Sequence, residues 1–335
     1  MYDPDKCDLC GECLESCTYL DFSLDQAKAA MEALAAGEHP DWLDSCVTCF
    51  ACTERCKKGA DPFALICQRQ EESGTYVDPE MFAGVKAHFS PPEGGFTPPK
   101  VEGDLLDACT IYNPARESFE SRVFESLPMV RGRHYFCNVL YMHMGNLSVV
   151  RQGLSRFVGR LSATGAGRVI LPHEDCYAAL LMAREQGIDI PFTPVHLYEY
   201  LLEYLEKNEA DITPLGMTIA YQRPCAARYT GGRDDLADKL FEKIGVTRAQ
   251  RKYDRKNALC CGLNPVGALP SRKGMGPVQD ANVADAKESG ATAMVFLCPM
   301  CKEALKQKCA ENGLTPLFVV DLLRAALGEK ELLGG

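Results

Sequence analysis

The apolar positions beyond residue 100 fall into short runs that alternate with stretches of helical spacing. The runs Met217–Tyr221, Ala293–Leu297 and Leu317–Val320 are mostly apolar and short, which predicts buried strands. Residues 196–206 and 302–312 have the spacing of helices. Because strands and helices alternate along this part of the chain, it is predicted to form mostly parallel sheets with helices over both faces.

The first 89 residues follow a different pattern. Ser23 and Gln26 have the spacing of a capping box, and apolar residues then recur at helical intervals, which predicts a helix over residues 24–36. The run SPPEGGFTPPK, residues 90–100, contains four prolines and two glycines and is typical of a linker. Residues 1–89 are therefore predicted to be a separate domain.

A shift of 125 residues aligns one part of the chain with another. The aligned pairs are Cys176 and Cys301, Ala179 and Ala304, Leu180 and Leu305, Pro191 and Pro316, Phe192 and Leu317, Val195 and Val320, and Leu197 and Leu322. Seven matches at one shift favour duplication over chance. Residues 101–210 and 211–335 are predicted to be two versions of one α/β unit, so the fold class is α+β multidomain.

Composition and charge exclude several classes of protein. The 335 residues carry a formal net charge of -10, which argues against a nucleic-acid partner. No apolar stretch is long enough for a transmembrane helix, and the first residues do not resemble a signal peptide. The expected location is therefore the cytoplasm, where the 18 cysteines indicate metal or redox chemistry. The sequence lacks a P-loop after a strand and a GxGxxG motif in a βαβ unit, so no flavin or nicotinamide site is expected.

Two cysteine runs near the N-terminus have the same spacing. They are Cys7, Cys10, Cys13 and Cys17, and then Cys46, Cys49, Cys52 and Cys56. This is the spacing with which bacterial ferredoxins hold [4Fe–4S] cubanes, and in two-cluster ferredoxins the fourth cysteine binds the other cluster. Carried over, one cubane uses Cys7, Cys10, Cys13 and Cys56, and the other Cys46, Cys49, Cys52 and Cys17. Paired zinc sites or disulfides are the alternative.

The two runs also depart from the usual ferredoxin pattern. Thr18 and Lys57 stand where ferredoxins usually have proline, and a predicted helix separates the runs. We therefore expect a helical dicluster ferredoxin.

A third set of cysteines lies in the last third of the chain. Its members are Cys225, the pair Cys260 and Cys261 before Gly262, and Cys298 and Cys301 in CPMC. Cys225 and Cys298 follow predicted strands, and the carboxyl ends of parallel strands are where open α/β sheets bind ligands. Pro299 suits the first turn of a helix, whose N-terminus favours thiolates. A thioredoxin-like dithiol and a zinc site remain alternatives.

The chain at this point resembles the CCG-domain proteins typified by the heterodisulfide reductases of methanogens. The resemblance implies a noncubane [4Fe–4S] cluster held by all five cysteines. It also covers the N-terminal part, because the family pairs CCG repeats with a helical dicluster ferredoxin subunit, sometimes in one polypeptide. The run YQRPC at Cys225 replaces a His-Asp-Pro-Cys-His run frequent in that family, so contacts around the cluster are expected to differ.

The first predicted repeat departs from the CCG pattern. His173 and Cys176 stand at the position of Cys298 and Cys301, and the single Cys137 replaces the cysteine pair. One hypothesis is that a zinc ion or an altered cluster is bound by Cys109, Cys137, His173 and Cys176. The favoured hypothesis is that these four residues are vestigial and only pack in the core. Cys67 and Cys309 are expected to be core thiols. Arg223, Arg228, Arg272 and Lys273 flank the third cysteine set and are expected to be solvated loop charges rather than groups that offset cluster charge.

The sequence therefore predicts an iron–sulfur subunit. The favoured hypothesis is thiol or disulfide redox chemistry at Cys225, Cys260, Cys261, Cys298 and Cys301, supplied with electrons by two cubanes. The rival is a pure electron relay in a larger complex, which the degraded first repeat favours. A metal-storage or redox-sensor protein is a third hypothesis. The expected partner is a flavoprotein subunit, or a membrane cytochrome that would make the chain peripheral to a membrane. The excess of acidic residues in residues 1–60 suggests docking to a basic partner.

Overall fold

The computed structural model describes residues 1–92, 94–264, 267 and 269–332. It contains two four-stranded sheets, each wholly parallel, and helices that precede and surround them. The strands are β1 (Asp104–Cys109), β2 (Met129–Gly132), β3 (Arg168–Leu171), β4 (Thr193–His196), β5 (Met217–Gln222), β6 (Val246–Arg248), β7 (Ala293–Phe296) and β8 (Thr315–Phe318). The predicted α/β architecture is thus confirmed for the second part of the chain.

The helices occur in an N-terminal group and in the connections between strands. They are α1 (Glu12–Glu15), α2 (Leu24–Ala35), α3 (Ala51–Arg55), α4 (Pro62–Ser73), α5 (Pro79–Phe89), α6 (Leu147–Ser162), α7 (Glu174–Glu185), α8 (Leu197–Lys207), α9 (Asp234–Lys243), α10 (Gly276–Glu288), α11 (Pro299–Glu311) and α12 (Val319–Ala326). Short 3-10 helices add to these, among them Thr110–Phe119, Val139–Met144, Cys225–Arg228 and Arg255–Asn257. None of the helices in the described residues is both long and apolar enough to cross a membrane.

Local signals in the sequence explain several helix ends. The capping box predicted at Ser23 is present, because the Gln26 amide donates to the Ser23 hydroxyl and the Gln26 side chain accepts from the Ser23 amide. Pro299 occupies the first turn of α11, with Cys298 as its N-cap. The predicted helix at 302–312 therefore begins three residues earlier than expected.

The two sheets have equivalent strand orders, β2-β1-β3-β4 and β6-β5-β7-β8. The last strand of each sheet does not follow the shift of 125 residues, however. Arg168 pairs with Thr193, whereas Ala293, 125 residues beyond Arg168, pairs with Thr315. The counterpart of Thr193 is thus 122 residues away, and the four aligned pairs from Pro191 to Leu322 are not equivalent positions. The connection before β4 is longer than that before β8, and Val319 and Val320, predicted to be strand, begin α12 instead.

The two α/β halves share one hydrophobic core. Helices α8, α9 and α12 contribute buried residues that pack with strands of both sheets, including Leu201, Phe241 and Leu323. Within this core the hydroxyls of Tyr198 and Tyr221, one from each half, lie 2.7 Å apart. Tyr198 thus both packs in the core and makes a hydrogen bond to the other half. The halves are therefore joined by an apolar interior with a few internal polar pairs.

The N-terminal helices also share a core with the first α/β half. Phe63 and Tyr76 from this region pack in the same hydrophobic cluster as Tyr141, Leu154 and other residues of the first half. The Cys67 thiol is buried and donates to the Met142 carbonyl at 3.6 Å, consistent with its expected role as a core thiol. The structure thus shows residues 1–89 packed closely against the α/β part, rather than held away from it by the proline-rich segment.

A buried ionic group holds α7 of the first half to the second half. The Glu174 carboxylate accepts from Thr230 at 2.8 Å and from Arg233 at 3.2 Å, and it lies 3.3 Å from Nε2 of His196. Burial opposes ionisation, but His196 and Arg233 outweigh it and lower the pKa of Glu174 to about 2. The carboxylate is therefore ionised and compensated within the interface.

Replacement of Glu174 by glutamine should destabilise the protein because it removes the carboxylate charge that the partly buried Arg233 pairs with and that the buried His196 contacts. We expect a loss of about 3 kcal/mol in the free energy of unfolding, measured as a lower thermal midpoint under anaerobic conditions. The control is Glu206→Gln, on the exposed face of α8, which should change stability by less than about 0.5 kcal/mol. Equal midpoints for the two variants would contradict the role given to Glu174.

Candidate metal centres

The two N-terminal cysteine runs adopt the same backbone conformation. In the first run Leu9 and Gly11 are left-handed, with φ of 56° and 75°, and in the second run Thr48 and Phe50 occupy the equivalent positions with φ of 51° and 63°. Left-handed backbone is unfavourable for residues other than glycine, and it persists at functional sites where the surroundings impose it. A short helix, α1 or α3, begins directly after each run of turns. The runs are therefore equivalent in structure as well as in spacing.

The structure brings the fourth cysteine of each run to the other run. Cys56 lies beside Cys13, Cys10 and Cys7, and burial together with these neighbouring thiols raises the pKa of Cys13 to about 12. These four cysteines line one cavity of about 240 Å³. In the same way, Cys17 lies near Cys46, Cys49 and Cys52, and burial with these neighbours raises the pKa of Cys52. Each set is the one carried over from the ferredoxin spacing.

The third cysteine set is gathered at the carboxyl ends of β5 and β7. Cys225 begins a 3-10 helix after β5, and Cys298 is the N-cap of α11 after β7. The thiols lie close together in a continuous series, in which each affects the pKa of the next: Cys225, Cys260, Cys261, Cys301 and Cys298. All five predicted residues therefore meet at one place.

Gly262 turns the chain after the cysteine pair. It has a φ of 70°, and a Cβ there would lie 2.9 Å from Cβ of Met275. Its amide donates to the Cys260 sulfur at 3.4 Å. A larger residue would therefore push the pair away from the helix that covers it, which explains why a glycine follows the two cysteines.

The donor sets fit iron–sulfur clusters better than single zinc ions. Zinc draws four ligands around one point at short distances, whereas a four-iron cluster distributes its cysteines over separate corners. Among the described residues, no three His, Cys, Asp or Glu side chains converge on a point that would hold one metal ion. Thiols that are buried together also need positive charge from bound iron or from nearby cations if they are to ionise.

Three of the four flanking basic residues are buried, which corrects the expectation that they are solvated. Arg223 and Arg228 are each 3% exposed and Arg272 is 6% exposed, whereas Lys273 lies on the surface as expected. Burial alone would lower the pKa of Arg228, but the neighbouring Cys49 and Cys225 outweigh it and raise the pKa. The sequence did not reveal this burial, because each arginine contacts residues far along the chain.

Arg228 and Arg272 lie between the second N-terminal set and the third set. Arg228 donates to the Cys49 carbonyl at 2.9 Å and also to the Ala258 carbonyl. Arg272 donates to the Val47 carbonyl at 2.8 Å and to the Leu263 carbonyl at 2.5 Å. Each arginine thus ties a loop of the N-terminal run to the loop that carries Cys260 and Cys261, and places its charge between two groups of thiols.

Tyr19 is a site residue that the sequence analysis did not identify. Its hydroxyl accepts a hydrogen bond from the Cys260 amide at 2.7 Å. Cys49 and Cys260 belong to one hydrophobic cluster, with Val47, Ala51 and Met275, against which Tyr19 packs. The only signal in the sequence is that Tyr19 follows Cys17 by two residues. The hydrogen bond between the Cys260 amide and Tyr19 shows that the second N-terminal set and the third set are adjacent.

The four candidate ligands of the first half do not form one group. Cys176 lies beside both Cys109 and Cys137, which raise the pKa of its thiol, and all three thiols are buried. His173 instead lies close to Cys298 of the second half and lowers the pKa of its thiol, and Nδ1 of His173 lies 3.4 Å from Asp175. The hypothesis of one ion bound by these four residues is therefore not supported, and His173 belongs to the surroundings of the third set.

A small cavity reaches the third set between the two halves. It is lined by Cys225, Cys261, Cys298 and Cys301 on one side and by residues of the first half, including Ile111 and His173, on the other. Its volume is about 50 Å³. Of residues 262–277, Leu263 and Arg272 line this cavity, while residues 265, 266 and 268 lie outside the described residues.

Comparisons with known proteins assign both cysteine-rich parts. Residues 1–57 match a 4Fe-4S dicluster domain, and residues 219–306 match a cysteine-rich domain of the CCG type. The fold resembles that of a hypothetical protein from Helicobacter pylori, with a TM-score of 0.62 and 14% identity over 94% of this chain and 70% of the other. The protein is thus an iron–sulfur protein that combines a dicluster domain with a CCG domain.

The matched relatives belong to one kind of enzyme. The chain is 24% identical to the D subunit of the dihydromethanophenazine:CoB–CoM heterodisulfide reductase of Methanosarcina barkeri, over 87% of this chain and 79% of the relative. The corresponding protein of Methanosarcina acetivorans is also 24% identical, over 80% and 73% of the two chains. The chain is therefore a homologue of the D subunit of heterodisulfide reductase, and the family resemblance inferred from the cysteine pattern is confirmed.

The tight turn at Gly11 should be essential to the first cysteine run. A Cβ at Gly11 would lie 2.6 Å from the Lys28 amide nitrogen, so Gly11→Ala must move α2 away from the turn. The control is Gly37→Ala, because Gly37 is also left-handed but has no atom within 4 Å of the added Cβ. We expect a loss of about 1 to 2 kcal/mol for Gly37→Ala, from backbone strain alone, and a larger loss with reduced iron content for Gly11→Ala. Equal thermal midpoints and iron contents would contradict this.

Proposed function

We propose that the chain is a heterodisulfide reductase-like subunit that delivers electrons to a site for thiol or disulfide chemistry. The N-terminal cysteines hold two cubane [4Fe–4S] clusters in the crossed arrangement, one on Cys7, Cys10, Cys13 and Cys56 and the other on Cys46, Cys49, Cys52 and Cys17. The third set, Cys225, Cys260, Cys261, Cys298 and Cys301, holds a noncubane [4Fe–4S] cluster. The bound clusters would supply one-electron transfer and, at the third set, an iron that can take a substrate sulfur as ligand.

The adjacency of the second and third sets carries this proposal. Cys49 and Cys260 lie in one hydrophobic cluster, and Tyr19 bridges them through its hydrogen bond to the Cys260 amide. Protein that is packed without water between two redox groups couples them electronically and keeps them rigid. An arrangement in which the dicluster part merely accompanied the CCG part would not require this contact.

The two N-terminal cysteine sets differ in their surroundings. The first set is Cys7, Cys10, Cys13 and Cys56, and the second is Cys46, Cys49, Cys52 and Cys17. The first opens into a cavity whose rim carries ion pairs of Lys57 with Glu12 at 2.7 Å and of Lys58 with Asp8 at 3.0 Å. The second lies against the CCG part, next to the buried Arg228 and Arg272. We infer that the first set exchanges electrons with a partner and that the second faces the substrate site.

The residues around the third set suit a reaction that consumes electrons. Cleavage of a disulfide takes two electrons and two protons and releases two thiols. Arg228 and Arg272 place positive charge beside the thiols and stabilise added electrons there. The cavity between the halves reaches Cys225, Cys261, Cys298 and Cys301, so a small sulfur compound can approach the set from the side of Ile111 and His173.

A pure electron relay is the second candidate function, and the narrowness of this cavity favours it. A volume of about 50 Å³ has little room for a substrate. The first half also lacks the cysteine pattern of the second, so it would not hold a second noncubane cluster. In a relay, electrons would leave the third set to another protein rather than to a bound disulfide.

The architecture supports proposals on domains and partners. Equivalent strand orders in the two sheets support an origin by duplication, with units at residues 101–210 and 211–335 after a dicluster domain at 1–89 and a linker at 90–100. The relatives are named as subunits of a reductase, so further subunits are expected for this chain. A flavoprotein is the proposed electron donor or acceptor, and association with a membrane would occur through such partners.

Anaerobically purified protein should contain about twelve iron atoms and as many sulfides per chain, four in each of three clusters. Iron and acid-labile sulfide analysis measures this directly. A value of about eight would remove the noncubane cluster from the proposal, and about sixteen would show that the first half still binds one.

Added thiols should perturb the paramagnetic signal of the third set, which the cavity between the halves reaches. The signals of the two cubanes should not change, because each cubane would already have four cysteine ligands. The experiment adds small thiols to the oxidised complex and follows it by electron paramagnetic resonance. The matched variant is Cys261→Ser, which should abolish the response and retain the cubane signals. Failure of every thiol and disulfide to alter the third signal would favour the relay.

A further inference from the structure

A broad cleft on the second α/β half has a charge opposite to that of the whole protein. Its volume is about 1110 Å³, and it opens to solvent beside the start of α9 and the segment after β6. Eight of the residues that line it are arginine or lysine and five are aspartate or glutamate. The whole chain, in contrast, has 36 basic and 46 acidic residues. A positive cleft on a negative protein creates a local field that selects for negatively charged partners.

The floor of the cleft is formed by ion pairs that satisfy one another. Arg223 donates to both oxygens of Glu54, at 2.9 and 2.8 Å, and contacts Asp234 at 3.1 Å. Arg248 donates to Asp238 at 2.9 Å and pairs with Asp234 and Asp254. These arginines are rigidly held by internal carboxylates, so the floor has few free donors with which to grip a small anion.

The unpaired charge on the rim is mostly basic, with Asp235 as the one exposed acidic residue of the lining. Lys239, Lys252 and Lys256 are exposed, and none of them has a carboxylate within 4.0 Å in the part of the chain that the structure describes. Arg255, also exposed, is paired with Asp238 at 2.7 Å. Separated lysines around an open cleft match a wide acidic protein face, where each charge meets its own partner, better than a compact phosphate, which favours converging donors.

The floor of this cleft is also connected to the candidate metal centres. Glu54 lies between Cys52 and Cys56 in the sequence, and its carboxylate is 3.8 Å from Nε of Arg228. Arg228 in turn donates to the Cys49 carbonyl at 2.9 Å. Arg223, the partner of Glu54, precedes Cys225 by two residues. A molecule bound in the cleft would therefore be separated from the second and third cysteine sets by one layer of hydrogen-bonded side chains.

We propose that this cleft is the docking site of an acidic one-electron carrier protein. The carrier's acidic face contacts the rim lysines, and one electron passes between its redox group and the clusters of this chain, with no bond formed and no proton transferred. The electron-transfer part of this inference rests on the proposed function, whereas the docking of an acidic protein in the cleft does not. It adds an acidic partner to the basic one that the acidic N-terminal segment suggests.

The test uses the full chain with its clusters and a reduced two-cluster bacterial-type ferredoxin of strongly negative charge as the probe. Stopped-flow absorbance gives the second-order rate of electron transfer, and calorimetry gives the affinity, each at several salt concentrations. The double variant Lys252→Glu and Lys256→Glu should lower the rate at low salt by about tenfold or more, because reversing rim charges acts mainly on association. The control, Lys86→Glu with Lys207→Glu, reverses two exposed lysines outside the cleft and should leave the rate within about twofold.

Each alternative outcome identifies which statement fails. Equal losses for the cleft and control variants, or none for either, would overturn the docking site. Tight binding of inorganic pyrophosphate that depends on Lys252 and Lys256 would also overturn it, by showing a site for small anions. If iron analysis finds no clusters while the calorimetric affinity still depends on the cleft lysines, the proposed function fails and the docking surface stands.

Discussion

The structure depends on the burial of many thiols in one interior, together with the positive charge that makes this burial possible. Thiols packed against one another resist ionisation, as the raised pKa of Cys13 shows. The protein compensates with arginines that are themselves buried and held by backbone carbonyls. Arg228 and Arg272 each reach from the CCG part to a loop of the N-terminal run. Electrostatic compensation and domain packing are thus provided by the same side chains.

The two α/β halves have diverged in what they contribute to this interior. The second half supplies five cysteines at the carboxyl ends of its strands. The first half keeps three buried thiols in contact with one another, and its His173 turns to Cys298 of the second half. The loss of the CCG pattern has therefore left a half that lines and supports the remaining site. The Glu174 group joins α7, whose N-cap is His173, to the second half.

Packing of the dicluster part onto the CCG part also gives the two N-terminal cysteine sets different surroundings. One cysteine set lies at a surface cavity with paired charges at its rim, and the other lies against the third set. A basic cleft beside this contact offers a second approach to the buried centres. Two approaches to one group of centres would suit a protein that connects partners on different faces of a complex, as expected of a homologue of a reductase subunit.

Local sequence determined much of this protein. The cysteine spacing alone was sufficient to predict the dicluster domain, because the candidate ligands in each loop are close in sequence and require the same loop conformation. The sequence likewise predicted β5 and β7 from their apolar runs, and the start of α2 from the capping box at Ser23. These predictions were possible because strand and helix signals act over a few residues. The CCG set could be recognised from the spacing of its five cysteines, and Cys225 and Cys298 follow strands of a parallel sheet as expected.

Only the tertiary structure decided how these parts meet. Arg223, Arg228 and Arg272 look like loop charges in the sequence, and they are buried because they contact residues far away along the chain. The proline-rich segment suggested a separate N-terminal domain, but a shared core holds residues 1–89 against the α/β part. The shift of 125 residues failed at β4 and β8, because strand register is set by pairing with a neighbour and not by spacing along the chain. The contact of Tyr19 with Cys260 joins residues 241 positions apart, and no pattern within either segment could have encoded it.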